Sequence, residues 1–177
     1  LDAAETTAVR ASLADGAEAL VDIAFGQAQA VTLTLAYGLE KVTMHYDRKA
    51  QTMTIDRNGM KRGGKGVRTF KLYTDENLSV QLFVDKTVVE AFFEHGEETA
   101  TFNVFPEKYI LPELVIESEG AMENVTGRVW ELDGRNIKSW QQDVSEQASC
   151  FFVGLPVVKT NACSVHLFTV KYKERRS

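Results

Sequence analysis

The chain has 177 residues, of which 44% are hydrophobic and 25% are charged, and its formal net charge is −5 at pH 7. This length and apolar content suit one domain with its own core, and the negative charge argues against nucleic acid or an anionic membrane as a partner. No apolar run approaches the roughly 18 residues that span a bilayer, and two cysteines are too few for a disulfide scaffold.

The first 14 residues are rich in Ala, and they predict a short helix or a frayed connector. This acidic start is unlike a signal peptide, so we expect a cytoplasmic protein. From residue 15 onward, apolar residues alternate with polar ones, which is typical of strands with one buried face. Such stretches occur at 19–24, 31–36, 41–47, 52–57, 67–74, 111–120 and 125–132, with three more strands inside 78–106.

About ten strands at spacings of roughly eight to twelve residues favour an all-β fold over alternating strands and helices. A tight turn at 48–51 joins the third and fourth strands as a hairpin. We therefore predict an antiparallel β-sandwich of the jelly-roll or concanavalin-like kind, with ten or more strands, over residues 15–140.

Composition changes after Trp140. Residues 1–140 hold 15 Lys/Arg and 22 Asp/Glu, a net charge of −7, whereas residues 141–177 hold 5 and 3, a net of +2. Both cysteines, Cys150 and Cys163, lie in this tail, and whether they pair is open. Apolar runs at 149–153 and 164–173 need burial, so we expect strands there, on this module or at a dimer interface.

Three motifs in chain order carry a resemblance to a known family. They are YD followed by TIDR within 46–57, LFVDKTVVE at 82–90, and HGE at 95–97 leading to FP at 105–106. In this order they resemble the C-terminal β-sandwich module of glycoside hydrolase family 32, which includes invertases, sucrose-6-phosphate hydrolases and levanases. The resemblance covers about residues 17 to 132. Thr87 departs from the commoner Ser, and Glu94-His95 replaces Asn-Asp.

The resemblance implies a module that performs no chemistry. In the family, the catalytic carboxylates belong to an N-terminal five-bladed propeller, within W-M-N-D-P-N-G, R-D-P and E-C motifs, and this chain contains none of them. We therefore expect no catalytic residue here. The expected partner is the propeller of a parent enzyme that hydrolyses sucrose or fructans. We expect that enzyme in the bacterial cytoplasm. The module's surface could instead, or in addition, form a homodimer.

A carbohydrate-binding module is the alternative function, because aromatic rings exposed on a sandwich face stack on sugar rings. Phe93, Trp130 and Trp140 are the candidates for such contacts, and core packing is the competing role for each. Phe92 is a fourth aromatic of this kind, and we predict that it and Val84 lie in the core, where truncation to Ala is costly.

The acidic and metal-ligating residues favour structural roles. Asp47 and Asp85 fall at strand ends, where carboxylates accept backbone N–H groups, and we interpret them, with Asp56 and Glu90, as structural. The histidines are dispersed and the cysteines lack the spacing of a zinc site. We expect neither a metal nor a cofactor.

A basic segment at 57–71 contains six cations and no acid. Its glycines at 63, 64 and 66 allow a backbone that exposes N–H groups, which together with Lys61, Arg62 and Lys65 make a candidate anion-binding site. A solvated surface loop is the competing interpretation.

Overall fold

The computed structural model describes residues 8–132 and 165–171, and twelve β-strands make up most of them. In chain order the strands are β1 Val9–Ser12, β2 Ala17–Ala24, β3 Ala30–Tyr37, β4 Glu40–Asp47, β5 Thr52–Asp56, β6 Val67–Lys71, β7 Asn77–Val84, β8 Val88–Phe93, β9 Glu98–Asn103, β10 Glu113–Glu119, β11 Asn124–Glu131 and β12 Val165–Lys171. One 3-10 turn, Glu94–Gly96, joins β8 to β9. Within these residues, no helix has the length and apolar character needed to cross a membrane.

The strands form two six-stranded sheets that face each other. The first has the order β1-β10-β3-β4-β5-β6 and the second the order β12-β11-β2-β7-β8-β9. Every neighbouring pair is antiparallel. The predicted antiparallel sandwich is therefore confirmed, and the expected hairpin of β4 and β5 is present, with a turn at 48–51.

The core lies between the sheets and follows the alternation seen in the sequence. In β2, Ala17, Ala19, Val21 and Ile23 are buried and the residues between them are not. Each buried Val or Ile side chain stabilises the fold by about 1.5–3 kcal/mol relative to exposure. The same alternation runs through β3, β4 and β5, so the core is contiguous across the first sheet.

The N-terminal segment differs from the predicted helix or connector. Val9–Ser12 form β1, which pairs with β10 at the edge of the first sheet. Val9 and Leu13 are buried in the core. The prediction is wrong for residues 9–12 because the hydrogen bonds that make this strand come from β10, far along the chain, and local composition does not reveal them.

The structure also corrects the prediction for β8, because Phe93 and not Phe92 is the aromatic residue that lies in the core. Phe93 is 0% exposed and lies in the core, whereas Phe92 points outward and is half-buried. Val84 is buried as predicted. Glu90 lies in the outward phase of the strand, two residues before Phe92. Its charge is the signal that sets the phase, since side chains two apart share one face of a strand.

The tail is described only over β12, Val165–Lys171, which pairs antiparallel with β11 at the edge of the second sheet. The apolar run at 149–153, both cysteines and Trp140 lie outside the described residues. The division of the chain at residues 14 and 140 stays a prediction.

Candidate functional site

Five connections lie together at one end of the sandwich, which we call the loop end. They are residues 13–16, 38–39, 57–66, 85–87 and 104–112. Because neighbouring strands run antiparallel, alternate connections emerge at the same end. Backbone hydrogen bonds join them, with Leu13 N–H donating to the Pro112 carbonyl and Val104 N–H to the Thr87 carbonyl, each at 2.9 Å. The predicted anion-binding residues lie in the third of these loops.

The three anion-binding candidates differ in their contacts. The Lys61 ammonium donates to the Glu107 carboxylate at 2.7 Å, and this contact raises the pKa of Lys61. Arg62 forms an isolated β-bridge with Phe105, and Lys65 is exposed. The structure thus brings the three residues into one loop, with Lys61 already paired to an acid. Anion binding by Arg62 and Lys65 stays a prediction.

Glu40 is the residue at this end that sequence reasoning missed. Its side chain is only 6% exposed, and its two carboxylate oxygens accept the backbone N–H groups of Lys61 and Glu107, each at 2.7 Å. These two hydrogen bonds lower the pKa of Glu40. A signal was present: Glu40 falls in the inward phase of β4, with Val42, and a buried acid needs partners.

Exposed apolar side chains concentrate at the loop end. Of the seven large hydrophobic residues that are exposed within residues 8–132, six lie in or beside its loops: Leu39, Val67, Phe105, Tyr109, Ile110 and Leu111. Leu39 is 98% exposed and Tyr109 is 67% exposed. The seventh, Tyr73, lies at the opposite end, after β6. One end of the sandwich therefore carries an apolar surface.

A small cavity opens beneath this surface, next to Tyr37. Its volume is about 20 Å³, which is room for one water molecule and not for a sugar ring. The Tyr37 hydroxyl is buried and finds no hydrogen-bond partner among the described residues. Burial raises the pKa of Tyr37 to about 12. A bound water would satisfy this hydroxyl.

The three aspartates of the predicted acidic group hold turns, whereas Glu90 lies in the outward phase of β8. Asp47 accepts the Ala50 N–H at 2.8 Å, and Asp85 accepts the Lys86 N–H at 2.7 Å. Asp56 accepts the Asn58 N–H at 2.7 Å. The structural interpretation of Asp47 and Asp85 is confirmed. Among the described residues, no cluster of three or more His, Cys, Asp or Glu side chains is arranged to hold a metal ion.

A polar cleft of about 700 Å³ lies at the opposite end, and Asp22, Asp75 and Glu94 are among the residues that line it. Glu94 accepts the Ser79 N–H at 2.8 Å, and partial burial raises its pKa. Glu94 and His95 have φ values of 47° and 57°, in the left-handed region. The hydrogen bond to Ser79 links this turn to β7, so Glu94 has a structural role.

The three predicted sugar-binding aromatics do not come together. Phe93 is wrong as a candidate, because a ring with no exposed surface cannot stack on a sugar. Trp130 is half-buried on the outer face of β11, where its strand neighbour on β2 is Glu18. Trp140 lies outside the described residues. Of the three, Trp130 alone is described on an outer face.

Comparison with known proteins gives a family match. Residues 2–131 match the family model described as glycosyl hydrolases family 32 C terminal. No curated protein sequence matches the chain significantly.

Solved structures share the fold over most of this chain. An exo-inulinase from Aspergillus awamori superposes with a TM-score of 0.58 at 19% identity, covering 72% of this chain and 27% of the exo-inulinase. A fructofuranosidase from Schwanniomyces occidentalis, complexed with fructosylnystose, gives 0.55 at 12% identity, covering 70% and 30%. A β-fructofuranosidase from Aspergillus kawachii gives 0.54 at 12% identity, covering 70% and 26%. The superposed region is thus less than a third of each enzyme.

Proposed function

The chain belongs to the glycosyl hydrolase family 32 C-terminal family, and from this membership we propose that it is the non-catalytic C-terminal module of an enzyme that hydrolyses sucrose or fructans. Its role in that enzyme is to stabilise the preceding catalytic domain. The cytoplasmic, bacterial setting and a homodimer both stay predictions.

One observation carries this proposal: the family matched here is a C-terminal part, and the superposed region makes up only 27% of the exo-inulinase. The remainder of such an enzyme is long enough for a separate catalytic domain. The named relatives act on, or are complexed with, fructose-containing sugars, which supports that substrate class for the parent.

Four carboxylates within residues 8–132 have structural partners, which supports the same conclusion. Glycoside hydrolysis needs two carboxyl groups roughly 5–10 Å apart across a sugar-sized site, one of them with a raised pKa. Within residues 8–132, Asp47, Asp56 and Asp85 are bound to turn N–H groups, and Glu94, whose pKa is raised, is hydrogen-bonded to Ser79. Each has a structural role.

Sugar binding is the second candidate, and Trp130 is the observation that favours it. The outward phase of β11 places Trp130 opposite Glu18, so a flat ring lies near a carboxylate that accepts hydroxyl hydrogen bonds. Glu18 already accepts a hydrogen bond from the Gln81 amide at 2.7 Å, and a sugar hydroxyl would share that carboxylate.

One experiment separates the candidates. The purified chain is incubated with sucrose, raffinose and inulin while fructose release is measured, and its migration is followed in native gels containing inulin. We expect no fructose above a buffer control and no retardation by inulin. Fructose release by a clean preparation would contradict the proposal. Retardation that Trp130→Ala abolishes would favour the sugar-binding module.

A further inference from the structure

We propose that the loop end is the surface by which this module docks onto the catalytic domain that precedes it. The inference rests on the proposed function and adds to it the contact surface and the chemistry of the partner's complementary face: an apolar patch with an acidic rim.

The apolar side chains supply the contact area. Leu39 is 98% exposed at the tip of the β3–β4 connection, and Tyr109, Ile110 and Leu111 follow one another in the β9–β10 loop. A Cβ added to Gly38 would meet Ile110 Cδ1 at 3.0 Å, so the two loops are in contact. Apolar groups held side by side and in water are typical of a surface that a partner covers.

The loops that carry these groups are fixed in place. Glu40 joins the start of β4 to both long loops through the backbone N–H groups of Lys61 and Glu107. The Leu13 N–H donates to the Pro112 carbonyl at 2.9 Å, which connects the β1–β2 loop to the β9–β10 loop. A surface that is already ordered loses little conformational entropy on binding, which favours tight association.

The net charge of the loop end indicates the chemistry of its partner. The five loops of the loop end carry six Lys or Arg and three Asp or Glu, a net charge of +3, with four of the cations in loop 57–66, whereas the whole chain has a net charge of −5. A partner face with carboxylates around an apolar centre complements this loop. Two copies of the chain meeting symmetrically would bring the same basic loop towards itself, and like charges in an interface oppose association. The catalytic domain is therefore favoured over a second copy.

Leu39→Asp tests the surface, because a side chain that is 98% exposed can be changed with little effect on folding. Tyr109→Ala is the second variant. Tyr73→Ala is its matched control, since both tyrosines are 67% exposed but lie at opposite ends. The probe is the polypeptide encoded directly upstream of Leu1, produced separately, and the dissociation constant is measured by calorimetry. Circular dichroism checks the fold of each variant.

We expect Leu39→Asp and Tyr109→Ala to weaken binding at least tenfold, Tyr73→Ala to change it less than twofold, and added salt to weaken binding of the unchanged chain. If the unchanged chain binds and both loop-end variants bind equally well, the surface is wrong while the proposed function stands. If the unchanged chain does not bind the upstream polypeptide, the proposed function fails as well. A dimer of the chain alone that Leu39→Asp dissociates would overturn the assignment of the occupant.

Discussion

At the scale of single residues, β8 shows how a charged neighbour decides which aromatic ring enters the core. Phe93 contacts Phe70 of the opposite sheet, with 5.6 Å between ring centroids. Phe92 instead meets Phe83 on the outer face, with 5.9 Å between centroids. The two rings have the same size and adjacent positions, so their different environments make a matched pair for mutation.

We predict that Phe93→Ala lowers the free energy of unfolding by about 3–5 kcal/mol, because it leaves a cavity between the sheets. Phe92→Ala should cost about 1 kcal/mol, since its ring keeps contact with water. Urea unfolding of both variants gives the comparison. Equal losses would contradict the different burial of the two rings, and a larger loss for Phe92→Ala would show that the strand phase is the reverse of the one described.

Residue-level roles were only partly predictable from the sequence. The structural roles of Asp47 and Asp85 were predictable, because an acid beside a turn accepts a hydrogen bond from a nearby backbone N–H. Glu40 was not, because its partners at Lys61 and Glu107 come from two loops distant in sequence. For Trp130 the sequence left sugar contact and core packing open, and the structure places it on an outer face. The exposure expected for Phe93 was wrong, because the charge of Glu90 sets the opposite strand phase.

At the scale of elements, Glu40 links the β3–β4 connection to the β5–β6 and β9–β10 loops. The hydrogen bonds from Lys61 and Glu107 lower its pKa in the folded state. A carboxyl whose folded pKa is lowered contributes stability above its unfolded pKa, roughly 4.3, and that contribution is lost as pH falls through the lower folded value. The order of the loop end is thus coupled to pH on the acid side.

We predict that Glu40→Gln lowers the melting temperature at pH 7, because an amide presents an NH₂ group to one of the two N–H donors. The gap between the two proteins should narrow as pH falls below roughly 4. Glu119→Gln, at an exposed acid outside the loop end, is the control and should leave the melting temperature nearly unchanged. A gap that stays constant from pH 7 to pH 3 would contradict the account of Glu40.

Strand alternation made most elements predictable, and long-range pairing explains the one missed. β2 to β5 each show inward apolar residues at every second position, so their existence and facing follow from local pattern. β1 has only four residues and depends on β10 for its hydrogen bonds. The resemblance seen in the sequence covers about residues 17 to 132 and so leaves out β1. The family model, by contrast, matches from residue 2.

At the scale of the whole molecule, the two ends of the sandwich differ in chemistry. The loop end combines apolar side chains with a basic loop, and the opposite end opens a polar cleft lined by acids. Such an asymmetry suits a module that is covered at one end and solvated at the other. The apolar and basic loop end is the end that we propose is covered by the catalytic domain.

The stability of the catalytic domain tests the central claim most directly. The measurement is the melting temperature of the polypeptide encoded upstream of Leu1, alone and with a large excess of this chain over the dissociation constant. A partner that binds only the folded state at about 100 times that constant adds about 2.7 kcal/mol, so we predict a rise of several degrees. An unchanged melting temperature would contradict a stabilising role for the module.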